Sequence, residues 1–154
     1  MTANCFVRPA APADRDAFLS MWSNFVALAP DEPGNPDIGE LNWNRIMDTG
    51  CGLRCLIACA SDTTPAGFTL YLAFPFTWSR GDACYLQDIY VDASYRGKGI
   101  AQAMLTELKS IGESAGWYKI FWMTQPDNHA AQRLYEKVAQ RMDYLRYDLV
   151  VGPP

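Results

Sequence analysis

One histidine among 154 residues leaves too few nitrogen ligands for a zinc site, and no Cys-x-x-Cys pair compensates. The five cysteines, Cys5, Cys51, Cys55, Cys59 and Cys84, are odd in number. Cys51, Cys55 and Cys59 recur every four residues, yet "LRCLIACA" (Leu53 to Ala60) reads as a strand, apolar throughout. On that strand Cys55 and Cys59 share a face too far apart for a disulfide. They are read as buried free thiols in a reducing cytoplasm. Basic residues are outnumbered, with Lys and Arg at 13 against Asp and Glu at 17, for a net charge of −4. That balance argues against the basic face that nucleic acid requires and is compatible with a cationic small substrate such as an amine. No apolar run is long enough to cross a membrane, and "MTANCFVRPAAPADRD" has no apolar signal core. Internal repeats and low-complexity tracts are also missing.

What remains is a globular composition, 49% apolar and 19% charged, of a length that fits a single domain over residues 1–154. "CFVRPA" reads as a first strand ended by Pro9. A helix follows, capped by Asp14, with Phe18, Met21, Trp22, Phe25 and Leu28 at helical spacing. The breaker cluster "PDEPGNPD" (Pro30 to Asp37) is a loop, either a connector or a border of the substrate site. A short helix comes next, with Leu41, Ile46 and Met47 inward, ended near Gly50.

Three strands follow, over Leu53 to Ala60, Ala66 to Pro75 and Ala83 to Val91, the last two forming an antiparallel hairpin. The period then changes. Ile100, Met104, Leu105, Leu108 and Ile111 form one apolar stripe of a helix that stops at Gly116. "WYKIFWMT" (Trp117 to Thr124) is a strand. "DNHAAQRLYEKVA" is a helix capped by Asp127 or Asn128, with Ala131, Leu134, Tyr135 and Val138 inward. "DYLRYDLVV" alternates and is expected as a last strand, with Leu145, Tyr147 and Leu149 on one face. The order β-α-α-β-β-β-α-β-α-β predicts an α/β domain of three layers, a mixed central sheet flanked by helices. Trp22, Trp43, Tyr71, Phe74, Phe76 and Trp78 are read mostly as core, some of them lining a pocket where ring faces favour a cationic amine.

The strand-to-helix turn "VDASYRGKGIAQAML" carries Gly97 and Gly99 between two cations, Arg96 and Lys98. A bare backbone at a helix start is suited to a phosphate or pyrophosphate. Gly99 after Lys98 breaks the spacing of a Walker loop, and Gln102 stands where the dinucleotide fingerprint needs its third glycine. The pattern [Q/R]-x-x-G-x-[G/A] is met by Arg96, Gly99 and Ala101, followed downstream by "NHAAQRLYEK".

Together, "YLQDIYVDASYRGKGIA" and "NHAAQRLYEKVAQRMDYLRY" resemble the GNAT superfamily of acetyl-CoA-dependent N-acetyltransferases, in particular its small-amine and histone/polyamine branch. The resemblance is specific from Tyr85 to Tyr147. It implies a GNAT-type three-layer fold in which the fourth and fifth strands splay apart. Backbone groups of Ile89, Tyr90 and Val91 would pair with the pantetheine arm of coenzyme A, and an N–H there would polarise the acetyl carbonyl. Arg96, Gly97, Lys98, Gly99, Ile100, Ala101 and Gln102 would hold the pyrophosphate, and Asn128, Ala131 and Tyr135 would meet the cofactor again. Tyr135 would act as general acid toward the leaving thiolate, or it simply fills the inward stripe of its helix.

The base is less direct. Similar polyamine-type enzymes carry a glutamate at the position of Gln87, and glutamine accepts no proton at neutral pH. Asp88 points to the opposite face of a regular strand, though a bulge would redirect it. A water chain to another carboxylate, or a purely structural Asp88, are the other readings. The resemblance thus implies an enzyme, an acetyl-CoA:amine N-acetyltransferase. It implies direct attack by a primary amine in a ternary complex, without a covalent intermediate or a metal. Acceptors would be polyamines, amino acids or similar small amines. A protein lysine or N-terminal acetyltransferase is an alternative, and a non-catalytic acyl-CoA-binding sensor another. A cytoplasmic homodimer without nucleic-acid or membrane partners is expected.

Overall fold

Strands form where branched and aromatic residues alternate, and helices where the apolar period lengthens. The computed structural model describes residues 5–29 and 38–153, so the Pro30 to Asp37 loop lies outside the described residues. The chain divides into two units, one ending at Trp122 and the other beginning at Met123. In the first, the elements are β1 (Phe6–Pro9), α1 (Arg15–Val26), α2 (Ile38–Met47), β2 (Arg54–Cys59), β3 (Pro65–Phe74), β4 (Ala83–Val91), α3 (Ile100–Ala115) and β5 (Lys119–Phe121). The sheet order is β1-β2-β3-β4-β5, antiparallel until the parallel β4–β5 pair. The second unit contains α4 (His129–Val138). Among the described residues, no helix is long and apolar enough to cross a membrane.

The sheet has two buried faces. On one, Cys55, Ile57, Cys59, Phe68, Leu70 and Tyr90 pack with Phe18 and Met21 of α1 and Trp43 and Ile46 of α2. Phe18 and Phe68 are wholly buried, with ring centroids 5.2 Å apart. Burying each such ring stabilises by about 1.5–3 kcal/mol. On the other face Ala58 and Ala66 pack with Ile100 and Met104 of α3, with Ile89 and Val91 beside them. Helices on both sides of a mixed sheet are the three layers expected.

Several expectations are corrected. Asp14 makes no side-chain cap for α1. Its carboxylate turns back to accept from Ala11 N (2.8 Å) and from both terminal nitrogens of Arg8 (2.6 and 2.8 Å). Paired this way, Asp14 is held below the ordinary carboxylate range, chiefly by Arg8. Leu28 and Leu41 are exposed, and Trp43 occupies the inner face of α2 in place of Leu41. Cys51 is exposed and Cys5 half-buried, whereas Cys55, Cys59 and Cys84 are buried as expected; all five are free. Burial pushes the Cys84 thiol up to about 12. Trp78 is exposed rather than core.

The last strand, "DYLRYDLVV", does not form. Residues 143–151 carry no ladder, and Leu145, Tyr147 and Leu149 are exposed. Alternation gives a segment two faces, but a strand also needs a neighbour to accept its backbone groups. β5 is likewise shorter than Trp117 to Thr124, because its register with β4 runs only from Lys119 to Phe121.

Candidate active site

The key feature of β4 is a break in its register. Asp88 pairs with Leu70, but the next β3 residue, Tyr71, pairs with Leu86, so Gln87 is left without a cross-strand partner. That extra residue is a β-bulge. Cross-strand partners share a face, so Leu86 joins Tyr71 while Asp88 joins Leu70 and Tyr90 on the side of α1 and α2. Gln87 is exposed and Asp88 half-buried. The Asp88 carboxyl is pushed up to about 6 by burial. A group that loses its proton near neutrality suits a general base.

Beyond the bulge, Ile89, Tyr90 and Val91 pair with Thr69, Phe68 and Gly67 of β3. The β4–β5 ladder ends at the Tyr85–Phe121 pair. Among the described residues, β4 therefore has no ladder on its outer edge from Leu86 to Val91, and an extended ligand can add there like a strand. The Tyr90 side chain is buried against Phe68 and Phe25, leaving its backbone as the available group.

The strand leads into a 3-10 turn over Ala93–Tyr95, capped by Asp92, whose carboxylate accepts from Ser94 N at 3.0 Å. Arg96 Nε donates to Val91 O (3.1 Å) and Lys98 Nζ to Ser94 O (3.0 Å), so both cations are drawn onto the turn. Gly97 and Gly99 have φ of 73° and 79°, left-handed values that disfavour side chains. A Cβ at Gly97 would meet nothing within 4 Å, so the space over the turn is open. The bond from Ala103 N to Gly99 O opens α3, so Ile100, Ala101 and Gln102 contribute amides without an intrahelical acceptor. Open space, unpaired amides, the positive helix end and two cations fit a diphosphate.

Asn128, Ala131 and Tyr135 belong to the second unit. Asn128 is the cap of α4, its side chain accepting from Ala131 N at 3.3 Å. Ala131 and Tyr135 are half-buried and Val138 is exposed. Burial raises the Tyr135 phenol above its usual value, so the hydroxyl keeps its proton at neutral pH.

A cavity of about 240 Å³ between α1 and α2, lined by Leu19, Trp22, Ser23, Val26, Gly39 and Glu40, includes none of the predicted site residues. Tyr85, Lys119 and Phe121, by contrast, were not singled out in the sequence yet stand on Asp88's side of the sheet. Only the registers of β4 with β3 and with β5 reveal this, because they fix which positions share a face.

A mixed sheet with a bulged fourth strand, an open strand edge and a glycine turn at a helix start defines a three-layer α/β fold with room for an extended, diphosphate-bearing ligand. The chain matches the Acetyltransferase (GNAT) family over residues 17–139, and it belongs to that family. It is 28% identical to the D-amino-acid N-acetyltransferase HPA3 of Saccharomyces cerevisiae over 142 residues, 92% of this chain and 88% of that protein. It is 35% identical over 86 residues to an L-2,4-diaminobutyric acid acetyltransferase of Streptomyces avermitilis, covering 55% of this chain and 46% of that protein. The glucosamine 6-phosphate N-acetyltransferase 1 of Dictyostelium discoideum is 35% identical over 68 residues, covering 44% of this chain and 38% of that protein. The fold is shared with the structure of AAC(6')-Iy in complex with a bisubstrate analog, CoA-S-monomethyl-acetylneamine. That likeness has a TM-score of 0.78 at 17% identity, over 96% of this chain and 99% of that one. The protein is thus an acetyltransferase of the GNAT family.

Proposed function

We propose that the chain moves the acetyl group of acetyl-CoA to the primary amine of a small molecule, by direct attack in a ternary complex. The observation that carries this reading is the bulge at Gln87, which aims Asp88 at the face it would miss in a regular strand. As substrate, acetyl-CoA brings a thioester carbonyl and a thiolate leaving group. Ile89 to Val91 offer backbone groups along an open edge, and residues Arg96 to Gln102 offer amides and charge for the diphosphate. Asp88 takes the proton that the attacking amine loses, directly or through a water, and so fills the role that Gln87 cannot. Tyr135 keeps the general-acid role implied by its place in "NHAAQRLYEK", giving its proton to the departing sulfur. Asn128 and Ala131 shape the start of the helix that carries it.

Relatives named for D-amino acids, diaminobutyric acid and glucosamine 6-phosphate favour a small amine over a protein lysine or N-terminus. A base poised near neutrality also speaks against a sensor that only binds. The direct test is thiol release from acetyl-CoA with a panel of amines. Release that depends on the amine is expected. Tight acetyl-CoA binding with no release for any amine would overturn the reading. We include a cytoplasmic homodimer in this proposal, and a solution mass of one chain would remove the dimer.

A further inference from the structure

On the side of the sheet that bears Asp88, an aromatic wall begins just before the bulge. Tyr85 pairs with Leu72 and Phe74 with Ala83, which puts both rings on the face of Leu70. Phe121 of β5 pairs with Tyr85, and their rings stack at 5.2 Å and 13°. Phe74 closes the wall edge-on to Phe121 at 6.1 Å and 86°. Tyr85 and Phe74 are half-buried and Phe121 is exposed, so the wall is open to a ligand.

At its far end Lys119 lies on the same face, its ammonium 4.2 Å from the centre of Phe76 and 5.7 Å from that of Phe121. Along β3, Leu72 and Leu70 mark the steps of Tyr85 and Asp88. The wall therefore starts about 7 Å along the strand from the carboxylate. An amine two or three carbons from a planar ring spans that step. A second ammonium further along would meet Lys119 and be repelled. Gln87, next to Asp88, offers no carboxylate to a second ammonium either.

Resting on the acetyl-transfer reading above, we propose that the acceptor is a monoamine with a flat apolar body. Its ring packs against the Tyr85–Phe121 stack while its nitrogen faces Asp88, and Lys119 discriminates against polyamines. Tyr85, Phe121 and Lys119 are specificity-determining residues in this assignment.

The test is thiol release from acetyl-CoA with 2-phenylethylamine, 1,4-diaminobutane and glucosamine 6-phosphate, on the whole chain and three variants. We expect 2-phenylethylamine to have the highest kcat/KM. Phe121→Ser should raise its KM about tenfold, the scale of a lost ring stack, while the KM for acetyl-CoA stays unchanged. Phe121→Leu, which preserves the strand and apolar bulk, should raise it by about threefold. Lys119→Gln should increase kcat/KM for 1,4-diaminobutane several-fold. Equal or better turnover of the diamine or the sugar phosphate by the unaltered chain would overturn the inference and leave acetyl transfer standing. So would an unchanged 2-phenylethylamine KM in both Phe121 variants. Tight acetyl-CoA binding with no thiol release for any amine would overturn acetyl transfer itself and this inference with it.

Discussion

Asp88 stands across from Leu70, on the sheet face that α1 and α2 cover, although unbroken pairing from Leu86 and Tyr71 would have set it across from Thr69 on the opposite face. Burial there pushes its carboxyl from an ordinary 3.8 up to about 6.

Two pH effects of opposite sign follow from Asp88. The native state holds this proton more tightly than the unfolded chain does, so the Asp88 contribution to stability falls as pH rises from 3.8 to about 6. The ionised base accumulates over the same range. At saturating substrates kcat should rise up to about pH 6 and then level. Asp88→Asn should lower kcat by about 10²–10⁴ and raise the melting temperature at pH 7. A pH profile of kcat and a thermal melt check both, and an undiminished kcat would remove Asp88 as the base.

Tyr135→Phe keeps the ring and deletes the hydroxyl. Turnover should fall by about 10²-fold or more, with acetyl-CoA affinity unchanged. Calorimetric titration alongside steady-state kinetics separates the two. A variant that turns over normally takes the general-acid role away from Tyr135.

Gly99→Asp tests the turn. Its φ of 79° strains any side chain, and a carboxylate beside a diphosphate adds like-charge repulsion. Near a protein surface that contact costs a few kcal/mol, so acetyl-CoA affinity should drop by about 10²-fold or more. Normal affinity by calorimetry would show that the pyrophosphate is held elsewhere.

Asp14→Ala is a stability prediction away from the chemistry. It leaves Arg8 without its carboxylate and Ala11 N without its acceptor. Asp14 is buried but Arg8 is partly exposed, so solvent moderates the loss to about 2 kcal/mol. Because Arg8 depresses the Asp14 pKa, this stabilisation is present above the ordinary 3.8 and is lost as pH falls through the lowered value. Chemical denaturation at pH 7 should show the loss in the variant, and in strong acid the two proteins should converge.

The helices show how far local pattern reaches. Ile100, Met104, Leu105 and Leu108 are buried as their spacing predicts, because one face of a helix is decided by neighbours three and four residues away. Leu41 failed for the converse reason. Its apolar character did not say which part of α2 would meet the sheet, and Trp43 took the place. Asp14 had the chemistry of a cap, but Arg8 on β1 competes for its carboxylate from another element.

The chain's own sequence determined the strand–turn–helix unit around Gly97 and Gly99, the caps Asn128 and Gly116, and the family to which these belong. Each depends on groups a few residues apart, where backbone conformation and hydrogen bonding are local. Only the tertiary structure decided the face of Asp88, the aromatic wall of Tyr85 and Phe121, and the absence of a ladder over residues 143–151. Those depend on how β4 registers with its neighbours β3 and β5, or on whether a segment finds a neighbour at all. A one-residue shift in register inverts every side chain beyond it, and alternation within a single segment carries no record of that shift.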